Sequence, residues 1–413
     1  MMKNIKNYSL LLFLSMLMIS IISCKRNDGY NRPASTDKTK PAVVTNVKVD
    51  NYNGGSYITY DLPKSDNILY VLAKYQIRDK EDRETKSSYY SDTVNVEGFA
   101  ASKDYNVTLY TVSRSEVMSD PVTVTVHPKT PVFSLVSETS ALQTDFGGVN
   151  VTALNPQKKS IGVIVIAFDK STNELEVQEQ FYTKSDTINY SVRGFNTDAR
   201  EFGVYITDKF GNISDTLKKT INPLFEQLLD KSQFSVYQLA TDSPIGYGWV
   251  LPNLWDGKTD GNSDGWHTNP GALPPWVCTF NVGRTYKLSR FVMWERPDGG
   301  DKYAFNHGNP KVFSLWGSNV PSPQDAQLPL TAPVGAVVGD WINLANYRYP
   351  DPPSGLPVGS TNAADNAFVL AGVNFNVPLN APVVHYLRLS VSQTWSAGNI
   401  AHVMELSLYG QPQ

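Results

Sequence analysis

Cysteine is nearly absent, with two residues in 413, Cys24 and Cys278. A small disulfide-stapled scaffold is therefore excluded, and because Cys24 closes an N-terminal apolar run, Cys278 is left without a disulfide partner. Flanked by apolar side chains in WVCTF, Cys278 reads as a small buried hydrophobe rather than a nucleophile. Histidine is sparse too: the five residues His127, His267, His307, His385 and His402 never fall in a metal-protease spacing such as H-E-x-x-H. Charge of one sign is also missing, since 36 Lys and Arg face 39 Asp and Glu for a net of −3. With no basic field, nucleic acid is excluded as a partner, and recognition rests on shape and contact. The N-terminal apolar run, Leu10 to Ile22, is too short to cross a bilayer comfortably.

What is present begins with that run. Lys3 and Lys6 precede it, which makes it a secretory signal. Its end, Ile21-Ile22-Ser23-Cys24, resembles the bacterial lipobox, and the resemblance implies cleavage before Cys24 and lipid attachment to that residue. Residues 1–23 are then the signal peptide, and the polar stretch 24–41 a flexible tether. Everything after it is expected outside the cytoplasm.

The remaining length is enough for several domains. From Pro41 to Pro128 short strands alternate with turn signals: VTVTV at 122–126 alternates strictly, and YNVTLYTV puts Tyr105, Val107 and Leu109 on one face. Residues 42–128 resemble a fibronectin type III domain, through VTNVKVD, the strand at Tyr105 and SDPVTVTVHP. The next segment repeats the first loosely. Asp92-Thr93 and Gly98-Phe99 have counterparts in Asp186-Thr187 and Gly194-Phe195, and each copy carries a Ser-Asp hairpin and a closing Pro. Residues 129–222 are thus a second sandwich, in which IGVIVIAF, apolar on both faces, is a central strand. LFEQLLDK at 224–231 spaces its apolar residues for one short helix. Seven of the eight Trp then fall between 249 and 341, so the aromatic load belongs to a third domain, 223–413, of strands joined by long Gly- and Pro-rich loops. No helical periodicity of consequence occurs there.

In LWDGKTDGNSDGWHT (254–268), Asp260-x-Asn262-x-Asp264-Gly265 matches half of an EF-hand loop. The twelfth position, where calcium needs a bidentate Glu, is Gly271, so that reading fails. A wider pattern fits better. LWDG, WHT, RTYKLSRFVMWERPD, FSLWGS, YLRLSVSQTW and MELSLYG occur in the order of discoidin, or F5/8 type C, domains, which are similar to many carbohydrate-binding modules. The whole chain resembles a Bacteroides-type surface glycan-binding lipoprotein.

That resemblance implies a structural calcium at Asp256 and Glu405, with Asp260 a further candidate, although a solvated Asp/Gly turn without metal explains the same letters. It also implies glycan contacts from His267, Arg296, Asn306, His307 and Trp395. The chemistry is coherent: a pyranose offers C–H groups to an aromatic plane and hydroxyls to planar polar side chains. Each residue has a plainer explanation, a structural His, a core Trp, or an Arg paired with Glu295 or Asp298. The expectation is an all-β chain, two tandem Ig/fibronectin III-like sandwiches and a discoidin-like, galactose-binding-like jelly roll. It would be a non-catalytic outer-membrane lipoprotein, exposed on the cell surface, that captures polysaccharide or oligosaccharide beside an importer complex for a polysaccharide utilisation system. A protein-binding adhesin or scaffold of the same envelope is the alternative.

Overall fold

The computed structural model describes residues 33–260, 263–299 and 301–413. The signal peptide, Cys24, the start of the tether and Asn262 lie outside the described residues.

The first sandwich contains β1 (Thr45–Tyr52), β2 (Gly55–Asp61), β3 (Ile68–Arg78), β4 (Glu81–Ser88), β5 (Thr93–Glu97), β6 (Tyr105–Ser113) and β7 (Val122–Val126). One sheet runs β1-β2-β5, the other β4-β3-β6-β7. The alternation in the sequence places Tyr105, Val107 and Leu109 in the core between them. The second sandwich contains β8 (Ala141–Asp145), β9 (Gly148–Leu154), β10 (Ile161–Asp169), β11 (Glu174–Thr183), β12 (Thr187–Arg193), β13 (Arg200–Asp208) and β14 (Leu217–Ile221). Its sheets, β8-β9-β12 and β11-β10-β13-β14, repeat the first order strand for strand. The repeat extends to backbone detail. Gly98 and Gly194 share a left-handed φ, +101° and +103°, which a side chain would strain. Ser119 and Ser214 each accept a strand amide, from Thr111 at 3.0 Å and Ile206 at 2.9 Å. A short helix, Val132–Glu138, which the sequence pattern did not announce, opens the second unit and packs Val132, Phe133 and Val136 into its core.

The third unit is a jelly-roll sandwich built on β15 (Gln227–Leu228), β16 (Ser235–Val236), β17 (Trp266–His267), β18 (Trp276–Trp294), β19 (Pro310–Ser318), β20 (Val337–Val338), β21 (Trp341–Arg348), β22 (Val373–Asn376), β23 (Val384–Thr394), β24 (His402–Val403) and β25 (Glu405–Pro412). Strand β18 belongs to both layers: its first half pairs with β23, its second with β25 and β22. The register breaks between Asn281 and Tyr286, and Gly283 sits there with φ +87°. A Cβ at that glycine would lie 2.4 Å from Gln233, so the bend requires glycine twice over.

Two local readings are corrected. LFEQLLDK is not a helix: Leu224 bridges Phe146, Gln227 and Leu228 pair with Gly410 and Tyr409, and Asp230 caps a single turn at Lys231–Gln233. The segment is held at both ends by sheet edges of different units, and that pairing overrides helical spacing. The third unit does hold a helix, Ala363–Ala371, between the capping box Asn362/Asp365 and Gly372.

The units are joined by buried contacts. The Phe210 ring packs against the first core, where a Cβ on Gly98 would meet it at 2.9 Å. Arg78 donates to Phe210 O at 3.0 Å and Asn212 Oδ1 at 2.8 Å. At the second junction Glu226 accepts from Arg290 (3.0 Å) and Ser289 (2.6 Å) and faces Arg193 at 3.5 Å.

Candidate functional site

Strands β18, β19 and β23 bring Arg296, His307 and Trp395 to one end of the jelly roll, where β17 and β24 form a two-stranded flap with His267 opposite His402. Three imidazoles gather there. His307 Nδ1 and His402 Nε2 lie 2.9 Å apart, and the His267 and His402 rings stack with centroids 5.3 Å apart. His267 Nδ1 is 2.7 Å from Thr268 O, so the proton sits on Nδ1 and Nε2 is an acceptor. His402 is fully buried, and among the described residues its Nδ1 has no partner. An unpaired acceptor costs less there than an unpaired N–H, which puts the His402 proton on Nε2, donating to His307 Nδ1. His307 is left with Nε2–H to offer a ligand.

Arg296 completes the patch. Its guanidinium carbon lies 3.8 Å from the Tyr303 ring centroid and 4.9 Å from that of Trp249, between two aromatic faces. Neither Glu295 nor Asp298 pairs with it. Glu295 is fully buried and accepts from Trp395 Nε1 at 3.3 Å, while Asp298 accepts Tyr303 N and Ala304 N at 2.9 and 3.0 Å. Among the described residues no side chain hydrogen-bonds the guanidinium, so its donors remain available. The exposed Tyr247 ring stands edge-on to His267 at 5.0 Å and extends the aromatic surface.

The loop behind these groups is tightly held. Asn309, fully buried, accepts Arg296 N at 2.8 Å and donates to Arg296 O and Tyr303 O, both at 2.9 Å. Phe305 and His307 adopt left-handed backbone, φ +50° and +52°, a strain kept where surrounding contacts fix the chain. Asn306 between them donates to Lys302 O at 2.8 Å, shaping the turn. Trp395 is only 6% exposed. It lines a cavity of about 350 Å³ with Phe305, Leu356, Pro357 and Val358, apart from the Arg296 and histidine patch. The structure therefore joins the half-buried Arg296 and His307 with the buried His267, adds Trp249, Tyr303, Tyr247, His402 and Asn309, and sets Trp395 and Asn306 in supporting positions. Trp249 and Tyr303 had only their aromatic type to mark them, because what selects them is contact with Arg296.

The calcium set does not fit. Glu405 is fully buried, with Oε1 2.5 Å from the Lys231 ammonium and Oε2 accepting Gly257 N at 2.8 Å. A dication at that carboxylate would confront the ammonium. Asp256 instead accepts Lys258 N at 2.9 Å and pairs with its Nζ at 3.0 Å, and Asp260 is exposed on the same loop. Among the described residues no three His, Cys, Asp or Glu gather as metal ligands. Chelation by EDTA is expected to move the thermal midpoint by less than about 1 °C, because only a ligand bound to the folded state stabilises it. A drop of several degrees, restored by calcium, would overturn this.

Glu295, 1% exposed, is out of reach of a substrate; burial pushes its carboxyl well above the usual range, and among the described residues its Oε2 has no partner. The letters Gly261-Asn262-Ser263-Asp264-Gly265 spell a nucleophile-elbow pattern, but the next element is the two-residue β17 and not a helix.

Burial also holds His267, His307 and His402 below the ordinary histidine range, His402 furthest, and Arg296 adds to the effect. Groups depressed in this way stabilise the fold above the unfolded value of about 6.5 and lose that contribution as pH falls through their folded values. Glu405, pushed up to about 7 by burial, acts oppositely, its contribution fading as pH rises toward 7. The histidine part is therefore a difference: between pH 6.5 and 5 the unfolding midpoint of the intact chain should fall more steeply than that of His402→Gln. Parallel curves would separate the cluster from stability.

Three family models, each described as a domain of unknown function, match residues 41–128, 129–232 and 255–410. No curated protein matches the chain. Among solved structures it is similar to a SusE-like protein, at 27% identity over 68% of this chain and 100% of that one, with a TM-score of 0.41. It is also similar to a family 32 carbohydrate-binding module from a Clostridium perfringens family 31 glycoside hydrolase, at 15% identity over 45% of this chain and 95% of that one, with a TM-score of 0.30. The family 32 module of C. perfringens NanJ, solved with galactose, gives 17% identity over 45% of this chain and 99% of that one, with a TM-score of 0.29.

Proposed function

We propose that this chain is a non-catalytic glycan-binding lipoprotein of the outer membrane, anchored through Cys24 and displayed at the cell surface. It captures polysaccharide or oligosaccharide for a neighbouring importer, and the first two sandwiches act as a spacer. The observation that carries the reading is the Arg296 guanidinium, clasped by Trp249 and Tyr303 with its donors uncommitted. Beside it stands His307 Nε2–H as a further donor to sugar hydroxyls, backed by the buried His402 and His267. Tyr247, 73% exposed, offers a face for sugar C–H groups. The joining of the units through Phe210 and Glu226 suits a spacer, since a stiff stalk costs less ordering entropy on binding.

The test is native affinity electrophoresis of the mature full-length chain across a panel of neutral polysaccharides, with release of reducing sugar assayed in parallel. Retardation without sugar release is expected. If no polysaccharide retards the chain while a protein partner is captured stoichiometrically, the adhesin alternative replaces this reading.

A further inference from the structure

The first two sandwiches enclose a second cleft, of about 330 Å³, remote in sequence from the histidine patch. Its floor is apolar, from Tyr52, Phe99, Phe133 and Phe210. Around it stand Lys158, Lys159, Lys184 and Lys209 against two lining acids, Glu97 and Asp208. Both acids are committed. Glu97 pairs with Lys209 at 2.8 Å, and Asp208 accepts Phe210 N at 2.8 Å and Asn212 N at 3.0 Å. Lys158 reaches Asp186 at 3.5 Å. Among the described residues, Lys159 and Lys184 have no hydrogen-bonded or ionic side-chain partner.

The backbone beneath makes this more than a scatter of surface lysines. Asn155 is fully buried, and its side chain donates to Lys159 O at 2.9 Å and Ser185 O at 3.1 Å while accepting Lys159 N at 3.2 Å. Its own amide donates to Asp186 O at 2.7 Å. One buried side chain thus pins two lysine-bearing loops together. Lys158 sits between them with φ +51°, a left-handed position where glycine or asparagine would be less strained. A second buried asparagine, Asn212, ties the Lys209 loop to the first sandwich by donating to Gly98 O at 2.9 Å. Like charges held side by side repel, so the turns gain nothing from being lysine-rich on their own account.

We propose that this cleft binds an anionic sugar unit, its carboxylate or sulfate against Lys159 and Lys184 and its C–H face on the aromatic floor. Lysine suits that task, since a flexible point charge takes a hydrated anionic group without demanding planar geometry. The domain junction fixes the cleft in advance, and its volume is that of a small-ligand pocket. This site is independent of the patch at Arg296.

The experiment runs the mature full-length chain in native gels containing polygalacturonate, dextran sulfate or neutral dextran. Retardation by at least one polyanion, weakening as salt is added, is expected. Retardation by polygalacturonate alone assigns a carboxylate, and by dextran sulfate alone a sulfate ester. The Lys159→Ala/Lys184→Ala double variant should lose about tenfold in affinity, two exposed ion pairs' worth. Lys64→Ala/Lys170→Ala should change nothing, because each lies past the far end of a strand, β2 or β10, whose near end adjoins the cleft, roughly 20–30 Å away at ordinary strand rise. Arg296→Ala should also leave polyanion binding intact, which keeps this result separate from that of the C-terminal patch. Absence of retardation by both polyanions overturns the proposal, as does equal loss in the two lysine double variants or full retention in Lys159→Ala/Lys184→Ala.

Discussion

Replacing Arg388 by alanine is expected to cost the C-terminal unit about 3–5 kcal/mol, the largest stability loss of any single change considered for this chain. Arg388 is fully buried in the middle of β23. Its Nε donates to Thr279 Oγ1 at 2.9 Å, one terminal nitrogen to Ala326 O at 2.7 Å, and the other to Thr241 Oγ1 at 2.7 Å and Asp242 Oδ1 at 3.2 Å. The Trp341 ring covers its guanidinium carbon at 5.2 Å. Truncation would leave Asp242 buried without its cation, and burial already pushes that carboxyl up. It would also leave a cavity beneath the loop that carries Ala326. For a unit of this size the loss corresponds to a fall of roughly 10 °C in the midpoint of that unit's transition, read by calorimetry because three units need not melt together. Arg388→Lys keeps the charge but not the fork, and should fall between the two. A midpoint within about 2 °C of the parent would mean that the network contributes little.

Arg296→Ala is expected to behave in the opposite way, losing binding and keeping the fold. The guanidinium rests on two aromatic faces, and among the described residues no carboxylate pairs with it, so its removal leaves no buried charge there. Stability should change by less than about 1 kcal/mol. Hydrogen bonds from a charged donor to sugar hydroxyls contribute about 1.5–3 kcal/mol, which predicts a roughly 10- to 100-fold loss of affinity for the neutral glycan that retards the parent chain. Arg296→Lys should recover little, because lysine neither stacks between Trp249 and Tyr303 nor presents a planar fork. Unchanged retardation of Arg296→Ala would move the binding surface elsewhere in the jelly roll.

The repeat was legible down to single letters. Gly98-Phe99 and Gly194-Phe195 recur because each sandwich needs a left-handed turn at the same place, and Ser119 and Ser214 recur because each closes the same hairpin. The helix at Ala363–Ala371 was missed: its capping box, Asn362 with Asp365, and its terminal Gly372 stand in a stretch rich in Gly and Pro that reads as loop by composition. The short helix at LFEQLLDK was not there to be found, since its residues pair with two sheets that only folding brings near.

At the site, His267, Arg296 and His307 could be named as candidates only through the resemblance to discoidin-like domains. Their chemistry could not. Whether Arg296 pairs with Glu295 or stands between two rings depends on which side of β18's end each residue faces, and the glutamate turns into the core while the arginine turns out. The same holds for the acidic loop, where Asp256 and Glu405 suggest a cation and the fold supplies Lys231's ammonium.

Local patterns of alternation, turn residues and apolar runs determined by themselves that this chain is β-structured, repeated at its start and aromatic at its end, because those properties depend on neighbours in sequence. Only the tertiary structure decided which charges meet. Lys231 and Glu405, Arg388 and Asp242, and Arg296 and Trp249 are far apart along the chain, and the energy of a charge is set by what burial leaves beside it.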